Sequence, residues 1–478
     1  MAEPAAKKSK TERPKVVLAY SGGLDTSTIL VWMIEKGFDV ICYCADVGQL
    51  GEDFAAVTEK AMRCGAIKVY IEDLKEDFVV NYVYEAVKAN AVRRAGPSEG
   101  PAPPPHSPLS SVRASLSPLP SSFFTPAHTR HLTMSLPHPQ IYESRYLLGT
   151  SLARPCITKR QIEIAQKEGA KYVAHGATGK GNDQVRFEMG AQALDATITT
   201  IAPWRDPEFL EKFKGRTDLL NYAAENNIPV DATPKANYSV DENLFHTSFE
   251  SGMLEDPMTP PDKSMWKMTV DPTDAPDVGE RIRIEFAKGV PVKATGADGA
   301  VKTDPLEIFM YLNERAGANG VGRLDIVENR FVGIKSRGCY ETPAGTVLRE
   351  AHLDLEGITL DREVVRIRDR LSAEFATLAY NGFWFAPEME LVRHSLDFVQ
   401  RHVNGAVEIE LYKGNVIIKG RESPNALYSA DLASMDIDDG GALFDYNPAD
   451  SQGFIKINST RLKAYFNMTS KLGAAEES

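Results

Sequence analysis

No run of 18 apolar residues occurs in this 478-residue chain, and its start has no leader-like layout of charge followed by an apolar block. Neither a membrane span nor export is therefore expected, and the reading is a cytoplasmic protein with no membrane partner. Cysteine is scarce: Cys42, Cys44, Cys64, Cys156 and Cys339 form an odd, scattered set without C-x-x-C spacing. That pattern argues against a disulfide framework and points to a reducing compartment. Cys42 and Cys44, two apart in an apolar run, would share one face of a strand and serve packing. A basic surplus is also missing. The net charge is −12 and the pI about 5.4, which argues against a nucleic-acid partner because phosphate binding needs clustered Lys and Arg. Neither G-x-x-x-x-G-K-[ST] nor G-x-G-x-x-G occurs in the amino-terminal strand–turn–helix segment, so a Walker A loop or dinucleotide fingerprint is not expected there. No Cys or Ser nucleophile constellation appears either, so no covalent enzyme intermediate and no catalytic nucleophile are expected.

What is present near the start is more specific. Residues 16–19 are an apolar run that reads as a buried strand, and residues 28–36 carry Ile29, Leu30, Trp32, Met33 and Ile34 at helical spacing. Between them lies Ala19-Tyr20-Ser21-Gly22-Gly23-Leu24-Asp25-Thr26-Ser27. A strand, a Gly-Gly turn and a helix start together make an anion cradle of backbone N–H groups, hydroxyls and the positive helix end. This stretch resembles the PP-loop of the ATP pyrophosphatases, which grip the β,γ-phosphates and cleave ATP between the α- and β-phosphates.

Further short apolar runs at 40–44, 68–71, 172–175 and 199–201 alternate with helical patterns. The expected fold class is therefore α/β, with a doubly wound parallel sheet whose ligand lies beyond the strand C-terminal ends. From about residue 236 the pattern changes to β-rich runs such as 281–286, 407–411 and 415–418, with helices such as 304–316 and 362–380. The resulting expectation is a tail over 1–14, an ATP-binding domain over 15–235, an α+β synthetase domain over 236–450, and a C-terminal oligomerisation helix within 451–478. The apolar positions Leu462, Tyr465 and Phe466 motivate that last assignment.

One segment fits none of this. Residues 92–140 hold eleven of the chain's 29 prolines, nine serines, four of its nine histidines and a single acid, Glu99. Without a sustained period of 2 or 3.6, the segment reads as a disordered insertion. Its four arginines give it a charge of +3, leaving −15 on the remainder.

A second signature is Ala174-His175-Gly176-Ala177-Thr178-Gly179-Lys180-Gly181-Asn182-Asp183-Gln184-Val185-Arg186-Phe187-Glu188. Its glycines allow backbone to approach a ligand closely. Asn182-Asp183 is expected to cap a helix that places Asn182 and Arg186, four apart, on one face. A guanidinium there suits a carboxylate because its planar fork can bind bidentately. This signature, with Tyr146-Leu147-Leu148-Gly149-Thr150-Ser151-Leu152-Ala153-Arg154-Pro155, resembles argininosuccinate synthase. So do the position of residues 265–272, Phe309-Met310-Tyr311-Leu312-Asn313-Glu314, the stretch Gly322 to Arg330, and Lys335-Ser336-Arg337-Gly338-Cys339-Tyr340-Glu341-Thr342-Pro343. The resemblance runs from about Lys15 to Lys471, interrupted only by 92–140.

The resemblance implies ATP as co-substrate with Mg²⁺, citrulline and aspartate as small-molecule partners, and a homotetramer. It implies an ATP site of Ala19, Tyr20, Ser21, Gly22, Gly23, Leu24, Asp25, Thr26, Ser27, Ala45, Ala174, His175, Gly176, Ala177, Thr178, Gly179, Lys180, Gly181 and Asn182. Aspartate would be held by Thr178, Asn182 and Asp183. Citrulline would be surrounded by Tyr146, Ser151, Asn182, Arg186, Ser239, Ser248, Glu328 and Tyr340. The ureido oxygen would attack the α-phosphate to give citrullyl-AMP, from which the aspartate amine displaces AMP. Metal ligands are not identifiable from the sequence. GMP and asparagine synthetases share the Ser-Gly-Gly loop but usually bring a glutaminase domain, for which the chain shows no motif. A nucleotide-binding protein without ligase activity is the remaining alternative, since the insertion falls just before Tyr146 and Ser151.

The insertion itself reads as a retained intron, with a genuine regulatory loop as the competing reading. Its 49 codons span 147 nucleotides and preserve frame; Val92 begins GT in any codon, and Gln140 can end as CAG. Genomic sequencing should show GT followed by A or G at Val92 and CAG at Gln140. Transcripts lacking the segment should join Ala91 to Ile141. A different donor, or transcripts that always retain it, would overturn this origin.

Overall fold

The computed structural model describes residues 13–90, 146, 148–229, 238–433 and 449–476. Most of the expected tail, the insertion 92–140 and the expected boundary at 235/236 lie outside the described residues. The chain forms two compact units divided after Leu427.

Among the described residues, the first unit contains three sheets. In the first, β1 (Lys15–Ala19), β2 (Asp39–Asp46), β3 (Lys68–Asp73), β4 (Tyr172–Ala174) and β5 (Thr199–Ile201) run parallel in the order β3-β2-β1-β4-β5. Val16, Val17 and Leu18 are fully buried, as an apolar run covered on both faces requires. The helix Leu24–Glu35 starts four residues earlier than the apolar spacing alone suggested, because the turn tightens directly at Gly22-Gly23. Strand order reverses between β1 and β4, and such a switch point opens a crevice at the strand C-terminal ends. The two signature loops leave β1 and β4 there.

The second sheet joins β6 (Ser239–Glu242), β7 (Thr247–Glu250), β11 (Arg323–Asn329) and β12 (Lys335–Glu341), antiparallel in the order β11-β12-β7-β6. The third joins β8 (Glu280–Ala287), β9 (Val290–Gly296), β10 (Val301–Lys302), β13 (Gly405–Tyr412) and β14 (Asn415–Glu422), ordered β10-β9-β8-β13-β14. Alternation sorts the second sheet's side chains. Phe249 and Cys339 pack with Leu254 and Met265 on one face, so Ser248, Glu250, Gly338 and Tyr340 take the other.

Two buried polar clusters tie these layers together. The Glu341 carboxylate, fully buried, accepts from the backbone N–H groups of Lys267 (2.8 Å) and Thr269 (2.8 Å) and from Thr269 Oγ1 (2.6 Å). This bond set explains why residues 265–272 hold a fixed place beside β12. The second cluster surrounds Asn90, the last described residue before the insertion. Asn90 is left-handed (φ 41°) and fully buried. Its Oδ1 meets His352 Nδ1 at 2.9 Å, and its Nδ2 donates to Glu356, which pairs with Arg368 at 2.9 Å. A position so fully bonded holds the end of the helix Tyr84–Ala89 against the helix Pro343–Thr359.

The second unit contains the helix Asp450–Glu476, which fills nearly all of the stretch 451–478 where a helix was expected. Its Phe454, Ile455, Leu462, Tyr465 and Phe466 are exposed.

Candidate active site

The crevice at the switch point is a cleft of about 790 Å³, a size suited to small-molecule substrates. One wall is the loop after β1. Gly22 has φ +74°, and a Cβ there would fall 2.9 Å from Val57 Cγ2, so only glycine fits. Ser21 Oγ and Thr26 Oγ1 lie 3.2 Å apart, and Tyr20 and Ser27 hydroxyls 2.9 Å apart. The helix Leu24–Glu35 has no side-chain cap, whereas the helix Phe54–Arg63 is capped by Asp53. The N-cap of the helix Leu24–Glu35 is Gly23, which has no side chain to cap with, so that helix start opens directly on the anion cradle.

The loop after β4 forms the adjoining wall. A Cβ on Gly176 would sit 2.9 Å from Thr26 Cγ2, so the two signature loops touch. His175, stacked on Phe187, accepts at Nδ1 from the Ala177 N–H (3.2 Å). Gln184 donates to the carbonyls of Gly179 (2.7 Å) and Gly181 (3.1 Å).

The expected Asn182 cap is not formed by its side chain. Asn182 is the N-cap residue of the helix Asp183–Leu194 but has helical backbone angles and no side-chain cap bond. Its amide instead donates to the Tyr380 hydroxyl (2.9 Å) and accepts from the Phe331 N–H (2.9 Å). Tertiary partners outcompete the local cap. Arg186 likewise spends part of its fork inside the protein: Nε donates to the Tyr380 carbonyl (3.0 Å) and Nη1 to Asp183 Oδ1 (2.9 Å). A bidentate grip on a substrate through the Nε edge is therefore not available, and Nη2 remains.

Opposite stand the second sheet and an aromatic group. Tyr146 meets Tyr340 and Tyr380 edge-on at 5.0 and 5.4 Å, and His246 stacks on Tyr340 at 5.6 Å. Burial, then Arg154 and Arg186, push His246 down to about 3, so the ring is neutral. Register places Asp241, Ser248 and Tyr340 abreast, and Ser239, Glu250 and Gly338 abreast in the next row. A Cβ on Gly338 would lie 2.1 Å from the Tyr340 hydroxyl, so this glycine leaves the slot into which that hydroxyl folds. The hydroxyl donates to Glu328 Oε1 at 3.4 Å.

Of the sequence-derived residues, Ala19, Tyr20, Ser21, Asp25, Thr26, Ala45, His175, Gly176, Ala177, Thr178, Gly181 and Asn182 line the cleft. Asp183, Arg186, Tyr146, Ser239, Ser248 and Glu328 also line it. Gly22, Gly23, Leu24, Ser27, Ala174, Gly179 and Lys180 build the loops without lining it. Ser151 and Tyr340 stand behind the wall, both about 1% exposed. Arg154, Asp241, Glu250 and Arg330 line the cleft without having been given roles from sequence. Spacing could have found three of them: Arg154 is one helical turn from Ser151, and Asp241 and Glu250 are two residues beyond Ser239 and Ser248 on strands.

A phosphate-ready loop, a second glycine-rich loop against it and a polar wall opposite define a nucleotide-using enzyme of the parallel α/β type. Comparison with known proteins narrows this. Residues 15–96 and 129–229 match the family profile described as Arginosuccinate synthase N-terminal HUP domain, and 238–465 match the Arginosuccinate synthase C-terminal domain. The unmatched interval, 97–128, lies within the proline-rich segment. The chain is similar to argininosuccinate synthases of Thermotoga sp. (strain RQ2), 52% identical over 95% of this chain and 98% of that one, and of Mus musculus, 50% identical over 97% and 100%. The Homo sapiens argininosuccinate synthase is 49% identical over 97% of this chain and 100% of its own length. The chain belongs to the argininosuccinate synthase family. It is a ligase that forms a carbon–nitrogen bond, joining citrulline to aspartate with ATP in arginine biosynthesis.

Burial pushes the Glu328 carboxyl up to about 7, with Glu250 adding and Arg186 opposing. Its ordinary value is 4.5, so the folded state holds this proton more tightly than the unfolded chain. The stabilisation is complete below about pH 4.5 and is lost as pH rises through about 7. The urea midpoint of the unliganded chain should therefore fall between pH 5 and pH 8 by more than that of Glu328→Gln. Parallel falls in the two proteins would overturn the assignment.

Proposed function

We propose that the cleft divides its labour as follows. ATP lies against the Ala19–Ser27 and Ala174–Asn182 stretches and Ala45, with its β,γ-phosphates at the uncapped helix start. Citrulline sits against Tyr146, Ser239, Ser248 and Glu328, its carboxylate toward Arg186 Nη2; Ser151 and Tyr340 support that wall from behind. Aspartate lies between Thr178, Asn182 and Asp183. A ureido oxygen is a poor leaving group until it is adenylylated. Its attack on the α-phosphate releases pyrophosphate and gives citrullyl-AMP; the aspartate amine then forms the new C–N bond as AMP departs. Positioning and electrostatic stabilisation of phosphate charge carry the rate. The observation that supports this reading most is the contact of the two glycine-rich loops across from the citrulline wall.

No group of three His, Cys, Asp or Glu suited to a metal occurs among the described residues. Mg²⁺ would arrive on the triphosphate and neutralise charge on the leaving pyrophosphate. All five cysteines are free, which supports a cytoplasmic setting.

Pyrophosphate release should require ATP and citrulline together, and sustained turnover should also require aspartate. Arg186→Lys should raise the citrulline KM about 10- to 100-fold, since a single nitrogen lacks the planar fork that reaches the Tyr380 carbonyl, Asp183 and a carboxylate from separate atoms. Pyrophosphate release independent of citrulline, or an unchanged citrulline KM, would refute the assignment.

We also propose a homotetramer in which the helix Asp450–Glu476 contacts other subunits. The exposed Phe454, Ile455, Leu462, Tyr465 and Phe466 supply an apolar surface that association would cover. Light scattering should show a smaller assembly for a chain ending before Asn458. An unchanged mass would remove the helix from the interface.

A further inference from the structure

Arg154, to which the division of labour above gives no role, is the hub of a charge cluster that includes Asp183, Asp241 and Arg186. It projects from the helix Gly149–Glu168. Its Nε and Nη2 both donate to Asp183 Oδ2, at 3.0 and 2.9 Å, and Nη2 also bonds Asp241 Oδ2. Asp183 opens the helix Asp183–Leu194, while Asp241 belongs to β6 of the second sheet. A single guanidinium thus joins three elements across the floor of the cleft. Arg186 Nη1 takes the other Asp183 oxygen at 2.9 Å, so two acids and two arginines balance. The Arg154 plane rests near the Phe187 ring, 5.9 Å from its centroid, and its side chain is 15% exposed toward the cleft.

That geometry brings two carboxylates to one nitrogen. Without Arg154 they would face each other across the same space and repel, and Asp183 would keep only Arg186 as an anchor. We propose that Arg154 is a positioning residue for the aspartate substrate, holding Asp183 and Asp241 together so that both face its ammonium. The proposal rests on the assignment of Asp183 to aspartate made above. It acts through charge as well as shape. Burial pushes the Asp183 carboxyl up, but Arg154 and then Arg186 outweigh it and hold it below the ordinary value. Burial holds Asp241 above its ordinary value; Arg154 and Arg186 oppose that rise and Asp183 adds to it. Other charged or titratable groups lining the same cleft include Glu250, paired with Arg330, Glu242, paired with Lys267, and Glu328; His246 nearby is already neutral. Loss of Arg154 therefore raises both carboxyls and leaves less negative charge for an ammonium at mildly acid pH.

The test is steady-state kinetics on the full chain with each substrate varied in turn. Arg154→Gln should raise the aspartate KM by about 10-fold or more while the citrulline and ATP values move by less than about threefold. The acid limb of kcat/KM for aspartate should move to higher pH, a shift that a purely structural role would not produce. Arg154→Lys should restore part of the loss, keeping the charge but not the fork. Equal losses for all three substrates, or an unchanged aspartate KM, would overturn the proposal. Asp183→Asn separates the two levels. An unaffected aspartate KM there refutes the role of Asp183 itself, whereas an effect at Asp183 with none at Arg154 refutes only the positioning. If Arg154→Gln fails to fold, Arg154→Lys and Asp241→Asn carry the same comparison, with aspartate-selective loss in support and uniform loss against.

Discussion

Parallel pairing of β1 with β4, two strands more than 150 residues apart in the chain, is the constraint on which the site depends. Val16 to Leu18 lie opposite Tyr172 to Ala174, and because the strands run the same way their following loops emerge side by side. Antiparallel pairing would have sent those loops to opposite ends of the sheet. Close contact then becomes possible only because Gly176 meets Thr26 without a Cβ and Gly22 makes room for Val57. The anion cradle is a product of that single register, and the uncapped start of the helix Leu24–Glu35 completes it.

The opposite wall has a different origin. It comes from the period-2 alternation of an antiparallel sheet whose other face is committed to Phe249 and Cys339. Polar residues two apart on β6 and β7 must then point together into the cleft. Bringing that acidic wall against Asp183 would be unfavourable without cations between them. Arg154, Arg186 and Arg330 supply these; Arg330 pairs with Glu250 at 2.5 Å. Each of these arginines also fixes the direction of an acid: Arg154 and Arg186 hold Asp183, and Arg330 holds Glu250.

The segment 92–140 interrupts the chain next to one of the most fully bonded positions of the first unit. Asn90, with its bonds to His352 and Glu356, closes the end of its helix against residues more than 250 positions later. Lengthening a connection is thermodynamically cheap, since each doubling of a loop costs only about 0.6 kcal/mol of closure entropy. The family match on both sides of the segment accords with a fold that does not depend on it.

Local pattern carried the strands of the parallel sheet, the Ser-Gly-Gly turn, the second glycine-rich loop and most cleft-lining residue types. These depend on φ/ψ preferences and on apolar periodicity, both readable within a dozen residues. Chain-distant pairing decided the rest. Asn182 looks like a cap in sequence, but Tyr380 and Phe331, which reach it from about 200 and 150 residues away, claim its amide. Arg186 looks like a free fork, but the Tyr380 carbonyl occupies its Nε. Arg154 resembles an ordinary helix-surface arginine until β6 brings Asp241 to it. A side chain's type and local geometry are set by its neighbours in the chain. What it bonds is set by whichever donor or acceptor the packed core leaves within reach, because a buried polar group must find a partner wherever the fold supplies one.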